Sequence, residues 1–153
     1  MSLSTFKVDL HMHTCVSKDG VVHPAEVIKI AKRRGLDRIC ITDHNTLAGA
    51  LAARKIDPEF VIVGEEILTY NKKAGAFTAA HGLPVTAGSD AYTAMEIDAA
   101  YLEMPAFTTA EEFRANLPQA AVHGKLSPAW IHFFSRLNIW RGQFGLKPVI
   151  DPQ

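Results

Sequence analysis

Short apolar stretches alternate with helical periodicity along most of the chain. Residues 6–12 set Phe6, Val8, Leu10 and Met12 on one side of a strand and Asp9 and His11 on the other, with His13 continuing the polar side. Residues 24–34 predict a helix: Pro24 suits its first position, where the missing N–H has no intrahelical partner, and Val27, Ile28, Ile30 and Ala31 form an apolar stripe. Gly35 stops it. A second strand is expected over 38–42, a short helix over 47–55, a break at Asp57-Pro58, and a third strand over 60–66. That strand is apolar until its end, as for a strand buried on both faces. A helix over 71–81 ends at Gly82, and strands follow over 83–88 and 100–104. Thr109-x-x-Glu112 is a capping-box pattern opening a helix over 109–117. Residues 127–141 carry Trp130, Phe133, Phe134, Leu137 and Trp140 at helical spacing, read as a helix docked on the outside of the fold. The alternation predicts an α/β fold with a mostly parallel sheet.

The polar clusters fall at the ends of the predicted strands: Asp9 to His13, Asp43-His44-Asn45, Gly64-Glu65-Glu66 and Gly88-Ser89-Asp90. In parallel α/β folds the carboxyl ends of the strands share one rim, where sites are built. His-x-His on a strand puts two imidazoles on one face, a spacing that suits two ligands on one ion. Each later strand end adds another metal-type ligand.

These segments resemble the motifs of the PHP (polymerase and histidinol phosphatase) family. Val8-Asp9-Leu10-His11-Met12-His13-Thr14, with Asp19-Gly20 downstream, is similar to its first motif. Ile41-Thr42-Asp43-His44-Asn45-Thr46 is similar to the second, Gly64-Glu65-Glu66-Ile67 to the third and Val85-Thr86-Ala87-Gly88-Ser89-Asp90-Ala91 to the last. The resemblance covers residues 5 to about 120 in the family's order. It implies a distorted β/α barrel of seven strands holding up to three divalent metals. Position by position, it implies that His11, His13, Glu66 and Asp90 hold one metal, that Glu66 bridges to a second, and that Asp19 and His44 hold a third. The implied activity is hydrolysis of phosphate esters by a metal-activated water, with zinc, manganese or iron and with Asp90 and His44 as catalytic candidates. Strand parity alone leaves Glu65 as the runner-up to Glu66. Asp9 is read as orienting a ligand.

Two departures reduce the expected metal count. The last motif ends in Tyr92 where the family has a histidine, and a neutral phenol is a poor substitute for imidazole. After Glu66 the family's middle strands, with two further histidines, are missing, and the junction falls at Thr69–Tyr70. The expected architecture is therefore an incomplete barrel of about five parallel strands with a C-terminal helix. It forms a single domain over 1–153: a first half over 5–69, a last part over 70–120, and a helix and tail over 121–153. Open sheet edges invite pairing, and a homodimer is one way to cover them.

Composition narrows the partners. Sixteen basic and sixteen acidic side chains balance, so net charge gives no reason to bind nucleic acid or an anionic membrane. A small phosphorylated substrate is expected instead, its charge met by metal. Cys15 and Cys40 make no disulfide framework, which predicts reduced thiols and a cytoplasmic setting. No apolar run reaches the roughly 20 residues of a membrane span, and Met1-Ser2-Leu3 lacks the regions of a secretory signal. His23 is read as flanking a helix, His81 as sitting at a helix end, and His123 and His132 as surface or packing residues. Lys32, Arg33 and Arg34 form a solvated helix end, and Arg54 and Lys55 are candidates to reach a substrate phosphate. A metal-binding remnant without turnover, and an amidohydrolase-like C–N hydrolase, are the alternative functions.

Overall fold

The computed structural model describes residues 4–67, 71–84, 86–124 and 148. The predicted helix over 127–141 and the Thr69–Tyr70 junction lie outside them. Five strands form one sheet: β1 Thr5–Met12, β2 Arg38–Ile41, β3 Val61–Val63, β4 Ala100–Pro105 and β5 Ala121–Gly124, in the order β3-β2-β1-β4-β5. The helices are α1 Pro24–Arg33, α2 Ala48–Ile56, α3 Asn71–Ala80 and α4 Ala110–Asn116. Among the described residues none is long and apolar enough to cross a membrane.

β1, β2 and β3 run parallel, with α1 and α2 as crossovers. The stripe of α1 is buried as its periodicity requires: Val27, Ile28 and Ala31 join Met12, Ile39, Ile41, Ala50, Ala53 and Val61 in one cluster. His23 caps α1, its Nδ1 accepting from Ala25 N. Thr109 and Glu112 form the expected capping box at α4. A second cluster covers the other face around Val8, Met104 and Phe107, with Phe6, Leu10 and Ile62 against it.

The expectation of five parallel strands fails beyond β1. β4 pairs antiparallel with β1, and β5 antiparallel with β4. The reason is chain length. Residues 88–91 run alongside the end of β1 in parallel, joined by the Met12–Ala91 bridge. A return in parallel needs a crossover of roughly a dozen residues or more, and residues 92–99 are too few. They fold into a tight turn whose buried Glu96 accepts from Tyr92 N, Thr93 N and Thr93 Oγ1, and the chain comes back antiparallel. The strand expected over 83–88 does not form among the described residues. β4 occupies the flank of β1 from Thr5 to Val8, and only the far end is left open. β3 is shorter than expected and lies at the sheet edge, with Val61 and Val63 packed toward one cluster and Ile62 toward the other, only Val61 being fully buried. β5 was not anticipated.

The alternation along β1 is interrupted as well. Asp9 pairs with Ile39 and Met12 with Ile41, so β1 carries one residue more than β2 between these pairs. This bulge moves Met12 into the helix-side cluster while Val8 stays on the other face. Bulges re-aim the side chains beside them, and here the neighbour is His11.

Gly88 lies against this irregular stretch. A Cβ on it would fall 2.3 Å from His11 N and 2.5 Å from His11 Cβ. Gly88→Ala is expected to cost about 1–3 kcal/mol through overpacking. Urea unfolding checks it, and a loss below about 0.5 kcal/mol, the scale of an indifferent surface change, would show that the contact is not tight.

Candidate metal centre

Four segments meet at the carboxyl end of the parallel strands, tied by backbone hydrogen bonds. Thr42 N donates to Met12 O at 2.9 Å, which sets the end of β2 beside β1. Asp90 N donates to His11 O and His13 N to Ala91 O, both at 2.8 Å. Asn45 N donates to Glu66 O at 3.0 Å, and Glu66 N to Asp43 O at 3.3 Å. Asp9 joins the first and last motifs: Oδ1 accepts from Ser89 N at 2.9 Å and from His11 N at 3.2 Å. It therefore orients backbone rather than an imidazole. Asp90 and Asn45 both have φ of 52°, a left-handed conformation that Asp and Asn tolerate better than most residues.

These bonds bring together His11, His13, Glu66 and Asp90. His11 Nε2 lies 3.2 Å from Glu66 Oε2 and 3.3 Å from Asp90 Oδ1. His13 Nε2 lies 3.3 Å from each of the same oxygens. The two Nε2 atoms are 3.2 Å apart. Carboxylate oxygens only accept, and each Nε2 carries at most one proton. Five such contacts among four atoms cannot all be hydrogen bonds. In a tetrahedral cage the donor separation is about 1.6 times the metal–ligand distance, so zinc at about 2.0–2.1 Å needs donors about 3.3–3.4 Å apart. The donor set and its spacing fit a divalent cation. Glu66 is half-buried and faces the cluster while Glu65 is exposed, which resolves the parity at the end of the third strand.

The charges answer one another. Burial works to lower the His11 pKa, but hydrogen bonding and charge from Asp90 and Glu66 outweigh it and hold it above the usual imidazole value. Burial works to raise the Asp90 pKa, yet His11 and His13 keep its carboxyl well below the usual range.

His44 and Asp19 stand beside the four rather than among them. His44 Nδ1 is 3.1 Å from Glu66 Oε2, and Nε2 is 3.4 Å from Asp19 Oδ2. Glu66 Oε2 is thus shared by three imidazoles, and Asp19 is joined to the cluster through His44. Tyr92 lies flat on His13, with ring centroids 4.4 Å apart and planes within 3°. Burial, then the charges of Asp90, Asp19 and Glu66, push its phenol above its ordinary pKa. In the position of the family's histidine, it packs and donates rather than offering a phenolate.

Other candidates separate from the site. Arg54 lines a cleft of about 430 Å³ with Arg38, Pro58, Phe107 and Phe113, at the amino ends of β2 and β3, away from the cluster. Cys40 is a buried thiol whose pKa is pushed up to about 12 by burial and then by Asp9. His81 bonds the Phe77 carbonyl at the end of α3, and His123 pairs with Glu103 on the outer strands; His132 lies outside the described residues. Sequence reasoning missed Ser17 and Asp43. Ser17 Oγ lies 3.1 Å from His13 Nδ1, and the buried Asp43 carboxylate accepts from Thr14 and Ser17. The Asp before His44 was visible in the sequence, but nothing in its spacing aimed it at His13.

Comparison with known proteins places the chain in a family. The PHP domain profile matches residues 9–123. The chain is similar to an uncharacterized protein of Methanocaldococcus jannaschii, 38% identical over 41% of this chain and 44% of that protein. It is also similar to the phosphoribosyl 1,2-cyclic phosphate 1,2-diphosphodiesterase of Eggerthella lenta, 34% identical over 57% of this chain and 34% of the relative. A 5'-3' exoribonuclease of Haemophilus influenzae is 39% identical over 42% of this chain and 24% of its own length. The matches span less than half the length of each of these relatives. With the profile covering most of its residues, this chain belongs to the PHP domain family.

Proposed function

We propose that this chain is a metal-dependent phosphoesterase whose complete cation site is His11, His13, Glu66 and Asp90, acting on a small phosphorylated substrate. The near-equal spacing of 3.2–3.3 Å in five of the six pairs of donor atoms carries the reading. Family membership supports the hydrolytic class, and two of the relatives bear names of phosphodiester-cleaving enzymes. Zinc, manganese or iron, when bound, supplies a Lewis acid for a phosphoryl oxygen and lowers the pKa of coordinated water to near 7.

The chain's own residues do the rest. Glu66 Oε2 lies between His11, His13 and His44, an anionic point that a cation would share with the rings of His11 and His13. Asp19 beside His44 Nε2 favours the proton on that nitrogen and turns the Nδ1 lone pair toward the cluster. His44 is then placed to take up a proton at Nδ1. Tyr92 covers one face of His13 and keeps water from it.

Tyr92 also favours a second reading, a domain that holds its cation without turnover. A protonated phenol in place of a ligand leaves Asp19 and His44 with no third partner of their own among the described residues, so one cation per chain is expected.

Elemental analysis of purified protein should find about one divalent ion per chain, and His11→Ala should lose it; unchanged metal content in that variant contradicts the site. With manganese, iron or zinc supplied, the wild type should hydrolyse an aryl phosphate mono- or diester and His11→Ala should not. Bound metal with no turnover of either ester selects the second reading. Tyr92→Phe should keep the metal stoichiometry, because the phenol oxygen is not a ligand; loss of the ion in that variant would make it one.

A further inference from the structure

Beneath the four ligands lies a chain of hydrogen bonds that ends on His13. Asp43 is fully buried. Its Oδ1 accepts from Thr14 N at 2.8 Å and Ser17 Oγ at 2.9 Å, and its Oδ2 from Thr14 Oγ1 at 2.8 Å. Three donors converge on this carboxylate, so it acts as an acceptor throughout. The first turn of α2 presses on it: a Cβ at Gly49 would sit 1.9 Å from Asp43 Oδ2 and 2.5 Å from Thr14 Oγ1. The carboxylate has no room to turn away.

Ser17 is buried and its hydroxyl carries one proton. That proton goes to Asp43. The oxygen also accepts from His44 N at 3.1 Å, and His13 Nδ1 lies 3.1 Å from it. With the hydroxyl proton committed, this contact is a hydrogen bond only if Nδ1 carries the hydrogen. The other nitrogen, Nε2, then presents a lone pair to Glu66, Asp90 and His11.

We infer that Ser17, clamped by Asp43, is a positioning residue that fixes His13 as the Nδ1-protonated tautomer and so sets the affinity of the cluster for its cation. The inference rests on the cation-site reading above. The same Ser17 oxygen holds the His44 backbone, so one hydroxyl orients a ring of the cluster and the segment carrying its neighbour. Tyr92, stacked on the opposite side, fixes the plane of the His13 ring but not its tautomer.

Long-range 1H–15N correlation spectra of the metal-free protein, recorded at mildly alkaline pH where imidazoles are neutral, read the tautomer directly. Wild-type His13 should show a protonated Nδ1 and an unprotonated Nε2. Ser17→Ala should let the Nε2-protonated form appear and should weaken zinc binding about 10–100-fold in chelator competition. Ser17→Thr, which keeps the hydroxyl, should restore both. A wild-type His13 protonated on Nε2 overturns the inference whether or not Ser17→Ala folds, and so does Ser17→Ala with the wild-type tautomer and zinc affinity. In either case a wild type that still binds zinc leaves the cation site standing. A wild type that binds no zinc overturns the site and the inference together.

Discussion

Five contacts of 3.2–3.3 Å among four donor atoms are more than hydrogen bonding can satisfy, and the architecture of the chain holds those atoms together at a spacing that suits a cation. Two carboxylates and two imidazoles would not stay so close by mutual attraction alone. They are kept there by backbone bonds among the segments that carry them: Asp90 to His11, His13 to Ala91, Asn45 to Glu66. The parallel arrangement of β1, β2 and β3 puts their carboxyl ends at one rim, and the 88–91 segment joins from the side that β4 leaves open. The raised His11 pKa and the depressed Asp90 pKa are the electrostatic mark of the same arrangement. Protein charges partly take the role that a cation would fill.

Much of this was legible in the residues. The His-x-His spacing, the acidic and histidine residues at strand ends, the stripe of α1 and the capping box of α4 are local patterns whose physics is nearest-neighbour. Asp9, His11 and His13 also read as one polar face, but alternation cannot register an inserted residue. The bulge between Asp9 and Met12 changes which face Met12 occupies without altering the look of the sequence. The choice between Glu65 and Glu66 needed the His44–Glu66 bridge, a contact between strand ends. Strand direction was misjudged for β4 because alternating apolar runs carry no direction. Only the brevity of residues 92–99 could have argued for a reversal. Ser17 and Asp43 escaped for the same reason: each is an ordinary polar residue until folding places it against His13 Nδ1.

The departures from the family pattern fall on one side of the cluster. Tyr92 stacks on His13 and keeps its proton, so Asp19 and His44 face a phenol where the pattern has an imidazole. The four-ligand group does not use that position. A four-residue group that could hold a cation thus stands beside a pair, Asp19 and His44, that lacks the family's histidine. The matched relatives extend well beyond the matched segments, so their activities bear on this chain only through the site residues it carries.

X-ray absorption at the zinc edge of the zinc-loaded protein tests the central claim most directly. A shell of two nitrogens and at least two oxygens at about 2.0–2.2 Å is expected, any oxygen beyond the two carboxylates being coordinated water, with outer scattering from two imidazole rings. A sulfur neighbour, which would draw in Cys15 or Cys40, or a shell with no imidazole scattering, would contradict it.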